Sequence, residues 1–210
     1  MDRAKNAARL QSRMRQFVII GHEAPTNAEF QLEDLPGAGR LDLLSRCVGA
    51  AVFLSHGIRD AVRVHLVLDD SFTVSFDSAE LRYLHPDERN IGSRIQGALE
   101  SRDDAIGHMP ADVSPGVTIR RLGIADTLDR VETEGTVVQL HQDGEPVTES
   151  PPPSDPVFVL SDHQDFQDAE AELLQAAADE RLCIGPERVH ANHAITVVNN
   201  WLDTSGYEVY

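Results

Sequence analysis

Residues 181–202, RLCIGPERVHANHAITVVNNWL, constrain the fold of this chain most tightly. A short apolar strand (Leu182, Cys183, Ile184) breaks at Gly185-Pro186 and gives way to a helix that starts near His190. Pro186 has no N–H to offer a strand ladder, and Gly185 lets the backbone turn sharply or approach a ligand closely. In the helix, Ile195, Val198, Trp201 and Leu202 recur at helical spacing as one apolar stripe, beside the polar Asn192, His193, Asn199 and Asn200. A strand, a tight loop and a helix start leave several backbone N–H groups exposed, which suits a polar ligand. An ordinary strand-loop-helix unit closing a sheet has the same pattern.

The rest of the chain alternates in the same way. The apolar run at 16–21 (QFVIIG) reads as a first strand, followed by a polar loop punctuated by Pro25, Pro36, Gly37 and Gly39. A helix is expected over 41–55, with Leu41, Leu44, Val48 and Val52 on one face and Gly57 stopping it. Val62, Val64, Leu66 and Leu68 alternate with Arg63 and His65 in a strand, which Asp69-Asp70 turn into a second one carrying Phe72, Val74 and Phe76. Further helices are expected at 88–101, 124–131 and 166–180, and short strands at 117–120, 136–140 and 157–160. Residues 141–156, with four prolines in the last six positions, read as a solvent-exposed connection rather than a domain boundary. Strands alternating with helices predict an α/β fold, a mostly parallel sheet with helices on both faces, in one domain spanning 14–210. Residues 1–13 carry basic residues with no apolar core after them, so they read as a disordered or amphipathic extension and not as a secretory signal.

A chain of 210 residues can bury one sizeable core. It has no run of about 18 apolar residues that would cross a membrane. Two cysteines, Cys47 and Cys183, are too few for a disulfide framework and point to a reduced, cytoplasmic setting. Thirty-five acidic side chains against eighteen basic ones give a formal net charge of −17, and Lys5 is the only lysine. That balance is the one expected of a halophilic protein kept soluble in molar salt. There the Debye length is roughly 3 Å, so long-range repulsion between an acidic surface and nucleic acid disappears. Charge therefore neither supports nor excludes an RNA partner, which short-range arginine contacts can still hold.

Residues 36–46, PGAGRLDLLSR, form a Gly-rich turn running into a helix start, where free N–H groups and the dipole favour an anion. Arg40 and Arg46, with Arg59 and Arg63, are candidates for a local basic patch that grips phosphate through forked hydrogen bonds. A helix cap with surface arginines explains the same residues. The third glycine of a dinucleotide fingerprint is missing, and no GK[ST] follows, which excludes a P-loop. Asp42, in the first helical turn, either accepts a proton from a nucleophile or complements the helix dipole. Asp87, three residues before Asn90 in LHPDERN, fits an N-cap. VVQLHQDGE and VFVLSDHQDF break at Leu140 and Leu160 into polar turns, and with Ile184-Gly185 they give three neighbouring strand ends. Ligands of open α/β sheets bind outside such ends. His190 and His193 are three apart on one helix without a Cys or carboxylate cluster at ligand spacing, so no metal is expected. Cys47 and Cys183 read as small core residues, and Trp201 as core or subunit interface.

IGPERVHANHAITVVNNWLD closely resembles the C-terminal segment of the archaeal tRNA pseudouridine N1-methyltransferases (the TrmY type), members of the SPOUT class of S-adenosylmethionine (SAM)-dependent RNA methyltransferases. DLPGAGRLDLLSR, LSHGIRD and PDER are similar to further signature segments of that family, in the same order, and the resemblance covers residues 14–203. It implies a SPOUT-like fold with a C-terminal trefoil knot, one of the rare exceptions to unthreaded connections. It implies a homodimer whose active site is completed across the subunit interface, and methyl transfer from SAM to N1 of the T-loop pseudouridine of tRNA. The resemblance places Leu140, Leu160, Ser161, Asp162, Ile184, Gly185, Pro186, Val189 and Ala194 around the cofactor. It places Arg40, Arg46, Arg59, Asp87 and Arg89 towards the RNA, with Arg40 and Asp42 at the reacting base. Ser161-Asp162-His163 stands where the family usually has Gly-Asp-His, though a serine still presents its backbone. Methylation at N1 removes a ring N–H proton, which a carboxylate such as Asp42 would accept; such protons are fairly acidic, so positioning alone can suffice. Two other readings fit the same segments: a SPOUT enzyme acting on a ribose 2′-hydroxyl or an rRNA base, and a non-enzymatic RNA-binding protein in which Ser161 blocks SAM.

Overall fold

In the computed structural model, which describes residues 14–210, strand β1 (Arg15–Gly21) lies inside an eight-stranded sheet. Its FVII run is buried on both faces, which is why it reads as continuously apolar rather than alternating. It pairs in parallel with β4 (Val62–Leu68) on one side and β9 (Pro156–Ser161) on the other, Ile19 standing opposite Leu66 and Leu160. Beyond β9 lie β8 (Thr136–Pro146) and then β10 (Glu180–Cys183), both parallel. Beyond β4 lie β5 (Phe72–Asp77), β7 (Val117–Arg120) and β6 (Ala111–Ser114), each antiparallel to its neighbour. The extension expected at residues 1–13 lies outside the described residues.

Helices cover both faces, as expected. The alternation of side chains along β1 assigns them. Phe17 and Ile19 share one core with α1 (Leu41–Val52), α2 (Glu88–Glu100) and α5 (Ala191–Asp203). Val18 and Ile20 share the other with α3 (Ile124–Glu132) and α4 (Asp168–Ala177). From the sheet edge at β10 the chain comes back to lay α5 against α1, where Asn199 Nδ2 donates to the Ala50 carbonyl at 3.1 Å. The stripe of Ile195, Val198 and Trp201 is wholly buried there. Truncating a residue such as Trp201 at this contact costs about 3–5 kcal/mol.

Several segments differ from the sequence reading, among them β6, where no strand was expected, and β10, which spans Glu180–Cys183 instead of 182–184. Helix α1 ends at Val52, ahead of the expected 55, because β2 (Phe53–Leu54) and β3 (Gly57–Ile58) fold into a small hairpin and the Arg59 N–H closes back on the Val52 carbonyl at 2.8 Å. Strand β8 runs on to Pro146, through residues expected as loop, and leaves only 147–155 as the connection. Its pairing jumps from Arg181 opposite Gln139 to Leu182 opposite Glu145. A Cβ on Gly144 would stand 2.5 Å from the Leu182 carbonyl carbon, an approach that only glycine permits. Helix α4 starts at Asp168 behind a capping box between Gln167 and Glu170, and ends at Ala177 because the chain turns extended at Ala178 and the Asp179 N–H joins the Val137 carbonyl at 2.9 Å. Elsewhere the turn chemistry holds: Asp69 and Asp70 take φ values of 45° and 46°, the mirror-image turn that a twisted hairpin needs. No helix among the described residues is long and apolar enough to cross a membrane.

Candidate active site

Parallel strands end on a common edge, and this edge gathers the exits of β1, β9, β8 and β10. Leu140 and Ile184 are half-buried against the core that α1 and α5 share, and Leu160 is buried at the end of β9. Ser161 donates its hydroxyl to the Gln164 carbonyl, so the side chain is folded into its own turn. Nothing stands within 4 Å of where a Cβ on Gly185 would be, so open space faces that loop. Pro186 and Val189 are exposed, and Ala194 is buried in the first turns of α5. Apolar walls, unobstructed backbone and open space fit the adenosyl and amino-acid parts of SAM.

The best-connected group on this edge is Asp162. Its Oδ2 accepts the backbone N–H of His22 at 2.9 Å, and its Oδ1 accepts the Gln164 N–H at 2.8 Å. The His22 ring lies between two carboxylates, Nδ1 at 3.0 Å from Asp162 Oδ1 and Nε2 at 2.9 Å from Glu170 Oε2. Sequence reasoning singled out Asp162 but neither His22 nor Glu170. Their partnership spans 148 residues, and a lone histidine after a strand gives no signal of it.

Across from these turns stands the 36–46 segment. Gly39 has φ 56°, and a Cβ there would overlap the Glu23 carbonyl, which seats the turn tightly on the exit of β1. Arg40, at the N-cap, is itself left-handed (φ 60°), an uncommon conformation for a residue with a side chain. The Leu41 N–H donates to Ala38 and the Leu43 N–H to Arg40, so these helix-start donors are not free for an anion; the side chains are the positive element here. Asp42, nearly buried, accepts from Arg40 Nε at 2.9 Å and Nη2 at 3.1 Å, and from Arg46 Nη2 at 2.7 Å. Burial by itself would raise this carboxyl, but the hydrogen bonds from Arg40 and the charges of Arg40 and Arg46 outweigh it and hold the pKa below the usual range. Arg46 also reaches Glu88 Oε1 at 3.2 Å, which links the network to α2.

The expected basic patch assembles only in part. Arg40 and Arg46 meet at Asp42, whereas Arg59 pairs with Asp203 on α5 and Arg63 with Asp77 and Glu134. Asp87 is the N-cap of α2, its Oδ1 accepting the Asn90 N–H at 2.7 Å, and Arg89 is exposed beside Glu33 at 2.6 Å. Two shallow clefts run along α1. One of about 260 Å³ is lined by Arg46, Gly49, Phe53, Glu88 and Asn192, and one of about 340 Å³ by Phe53, Arg59, Asn199, Asn200 and Asp203. Burial pushes the Cys47 thiol up to about 12, which leaves it inert packing. Among the described residues no three His, Cys, Asp or Glu side chains are grouped to hold a metal ion.

Comparison with known proteins places this arrangement. Residues 14–207 match a family described as "Putative SAM-dependent RNA methyltransferase". The tRNA (pseudouridine(54)-N(1))-methyltransferase of Halorubrum lacusprofundi is 61% identical over 207 residues, spanning 94% of this chain and 100% of that protein. The protein of the same name from Haloferax volcanii is 60% identical over 198 residues, with the same coverage of both chains. In fold, the chain is similar to Archaeoglobus fulgidus Nep1 bound to S-adenosylhomocysteine, with a TM-score of 0.60, 12% identity, and coverage of 89% of this chain and 96% of that one. The architecture agrees with the SPOUT-like fold expected from sequence. The chain belongs to the family of SAM-dependent RNA methyltransferases that contains these tRNA (pseudouridine(54)-N(1))-methyltransferases.

Proposed function

We propose that the protein methylates N1 of pseudouridine 54 in the T-loop of tRNA, with SAM as donor, as a homodimer in a high-salt cytoplasm. The observation that carries this reading is that the turns after β9 and β10 and the bulge of β8 at Leu140 lie on the same side of the sheet as a clamped Arg40. Identity of 61% across the whole length of a relative named for this reaction supports the choice of base and position.

SAM, when bound, supplies a sulfonium methyl group as the electrophile. The β8 bulge at Leu140 and the turns at Leu160, Ser161 and Asp162 and at Ile184, Gly185 and Pro186 would hold it, largely through main-chain groups. Val189 and Ala194 complete the wall. Chemistry at N1 then requires the ring nitrogen to lie in line with that methyl and to shed its proton. Asp42 suits the role of aiming arginines better than that of a base: both its oxygens are occupied and its pKa is lowered. Arg40 spends Nε and Nη2 on Asp42, which leaves Nη1 for a pyrimidine oxygen where negative charge develops, and the proton passes to water. Arg46, Arg59 and Arg89 contribute short-range phosphate contacts, and Asp87 orders the start of α2.

A second copy would cover the two clefts on α1 and α5, beside Arg46 and Arg59, and the return of the chain from β10 to α1 would be the threaded part of the knot. Light scattering in molar KCl tests the dimer. Incubation with methyl-labelled SAM and tRNA tests the reaction: label recovered as 1-methylpseudouridine supports it, and label on a ribose or in no nucleotide overturns it.

A further inference from the structure

His22 follows directly on β1, and its side chain is only 4% exposed, with Asp162 fully buried and Glu170 12% exposed beside it. Ionised carboxylates only accept hydrogen bonds, and both ring nitrogens face one within 3.0 Å. Both nitrogens must therefore donate, and only the imidazolium has two N–H groups. We propose that protonated His22 is a positioning residue for the methyl donor, clamping the turn at residues 161–164 between the exit of β1 and the start of α4. This rests on the SAM reading of that edge.

The connections are specific. Asp162 sets the turn, since its own N–H donates to Ile20 at 3.0 Å while its carboxylate gathers the N–H groups of His22 and Gln164. Glu170 sets the start of α4, because its Oε2 also accepts the Gln167 N–H at 2.7 Å. Among the described residues, His22 is the one group that bonds to both. Among the described residues the other ionisable groups facing this cluster are His163, whose Nδ1 is 3.5 Å from Asp162 Oδ1, and Arg40 and the buried Cys47, both coupled to Asp162 through space. Removing the proton would leave a ring lone pair against a carboxylate, an unpaired buried contact of the kind that is costly. Glu170, the more exposed partner, would be released, and the turn would lose its hold on α4. Burial works against the charged ring, but the hydrogen bonds to Glu170 and Asp162 and their charges outweigh it, so the pKa is raised. The clamp is thus complete at and below the ordinary histidine range and is lost as pH rises through the raised value.

Calorimetry with S-adenosylhomocysteine on the full chain in molar KCl, from about pH 6 to about pH 9, tests this, with thermal melts alongside to show that each variant is folded. The native protein should bind about tenfold more weakly at the alkaline end. His22→Gln should bind about tenfold more weakly throughout, with no such pH dependence. Glu170→Gln, which keeps the acceptor for Gln167, should move the loss of affinity to lower pH. Binding that is independent of pH in the native chain, or an unchanged slope in His22→Gln, would overturn the clamp while leaving SAM binding intact. No binding at any pH would overturn the SAM reading and this inference with it.

Discussion

Asp42 grips Arg40 from two positions along the chain through paired hydrogen bonds, Oδ1 to Nε at 2.9 Å and Oδ2 to Nη2 at 3.1 Å. A forked pair of this kind fixes the plane of the guanidinium as well as its position. It also offsets the left-handed backbone at Arg40, so conformation and contact depend on each other.

Asp42→Asn should therefore act through Arg40. The amide offers one acceptor oxygen where the carboxylate offers two, and it carries no charge. The expected outcome is a fall in kcat/KM for tRNA of about a hundredfold, unchanged affinity for SAM, and a stability loss of about 2 kcal/mol. Steady-state kinetics with calorimetry separates these effects; a kcat lost in Asp42→Asn but kept in Arg40→Ala would instead make Asp42 the proton acceptor. The sign with pH follows from its lowered pKa. Its stabilising effect is present above the ordinary carboxylate range and fades as pH falls through the lowered value, a dependence that Asp42→Asn should lack.

Gly185 and Gly39 should behave oppositely on substitution by alanine. At Gly185 a methyl meets open space, so stability should change by less than about 0.5 kcal/mol while SAM affinity falls by tenfold or more (on the order of 1.4 kcal/mol,). At Gly39 the methyl would overlap Glu23 in a backbone with φ 56°, and the protein should lose several kcal/mol, about 2 or more, along with activity on tRNA. Melting curves and cofactor titrations on the two variants check the contrast.

The buried strand β1, the presence of helices on both faces and the strand ends at Leu160 and Ile184 were legible because burial imposes simple patterns: FVII in β1, alternation through Val62, Val64 and Leu66, and the stripe of Ile195, Val198 and Trp201; Leu140, expected as a third strand end, lies inside β8. The second half of β8 was not, since His141, Gln142 and Asp143 carry no strand signal and lie in the bulge between the Gln139–Arg181 and Glu145–Leu182 pairs, made with a segment some forty residues away. The patch of four arginines failed for a related reason. Which acid each arginine meets is a matter of tertiary placement, and Asp203 and Glu134 claim Arg59 and Arg63. His22 lies at the far end of the same scale, with both its partners well over a hundred residues along the chain.

His65 gives a stability prediction of opposite sign to that of His22. It is buried between Ser75 Oγ at 2.8 Å and Gln16 Oε1 at 2.9 Å, and burial, then the charges of Arg130, Arg120 and Arg63, push its pKa down to about 3. The unfolded chain takes up this proton near its ordinary value and the folded one does not, so stability should fall as pH drops below about 6.5, by about 1.4 kcal/mol per unit. Denaturant melts between about pH 6.5 and about pH 4.5 should show a slope shallower by one proton in His65→Gln. An equal slope in both would mean that His65 is protonated in the fold.

The most direct test of the account is methyl transfer from labelled SAM, in molar KCl, to two transcripts of one tRNA that differ only in carrying uridine or pseudouridine at position 54. Nuclease digestion then identifies the labelled nucleoside. Label with the pseudouridine transcript alone, recovered as 1-methylpseudouridine, is the predicted result. Label on both transcripts, on a ribose, or on neither with folded dimeric protein would contradict it.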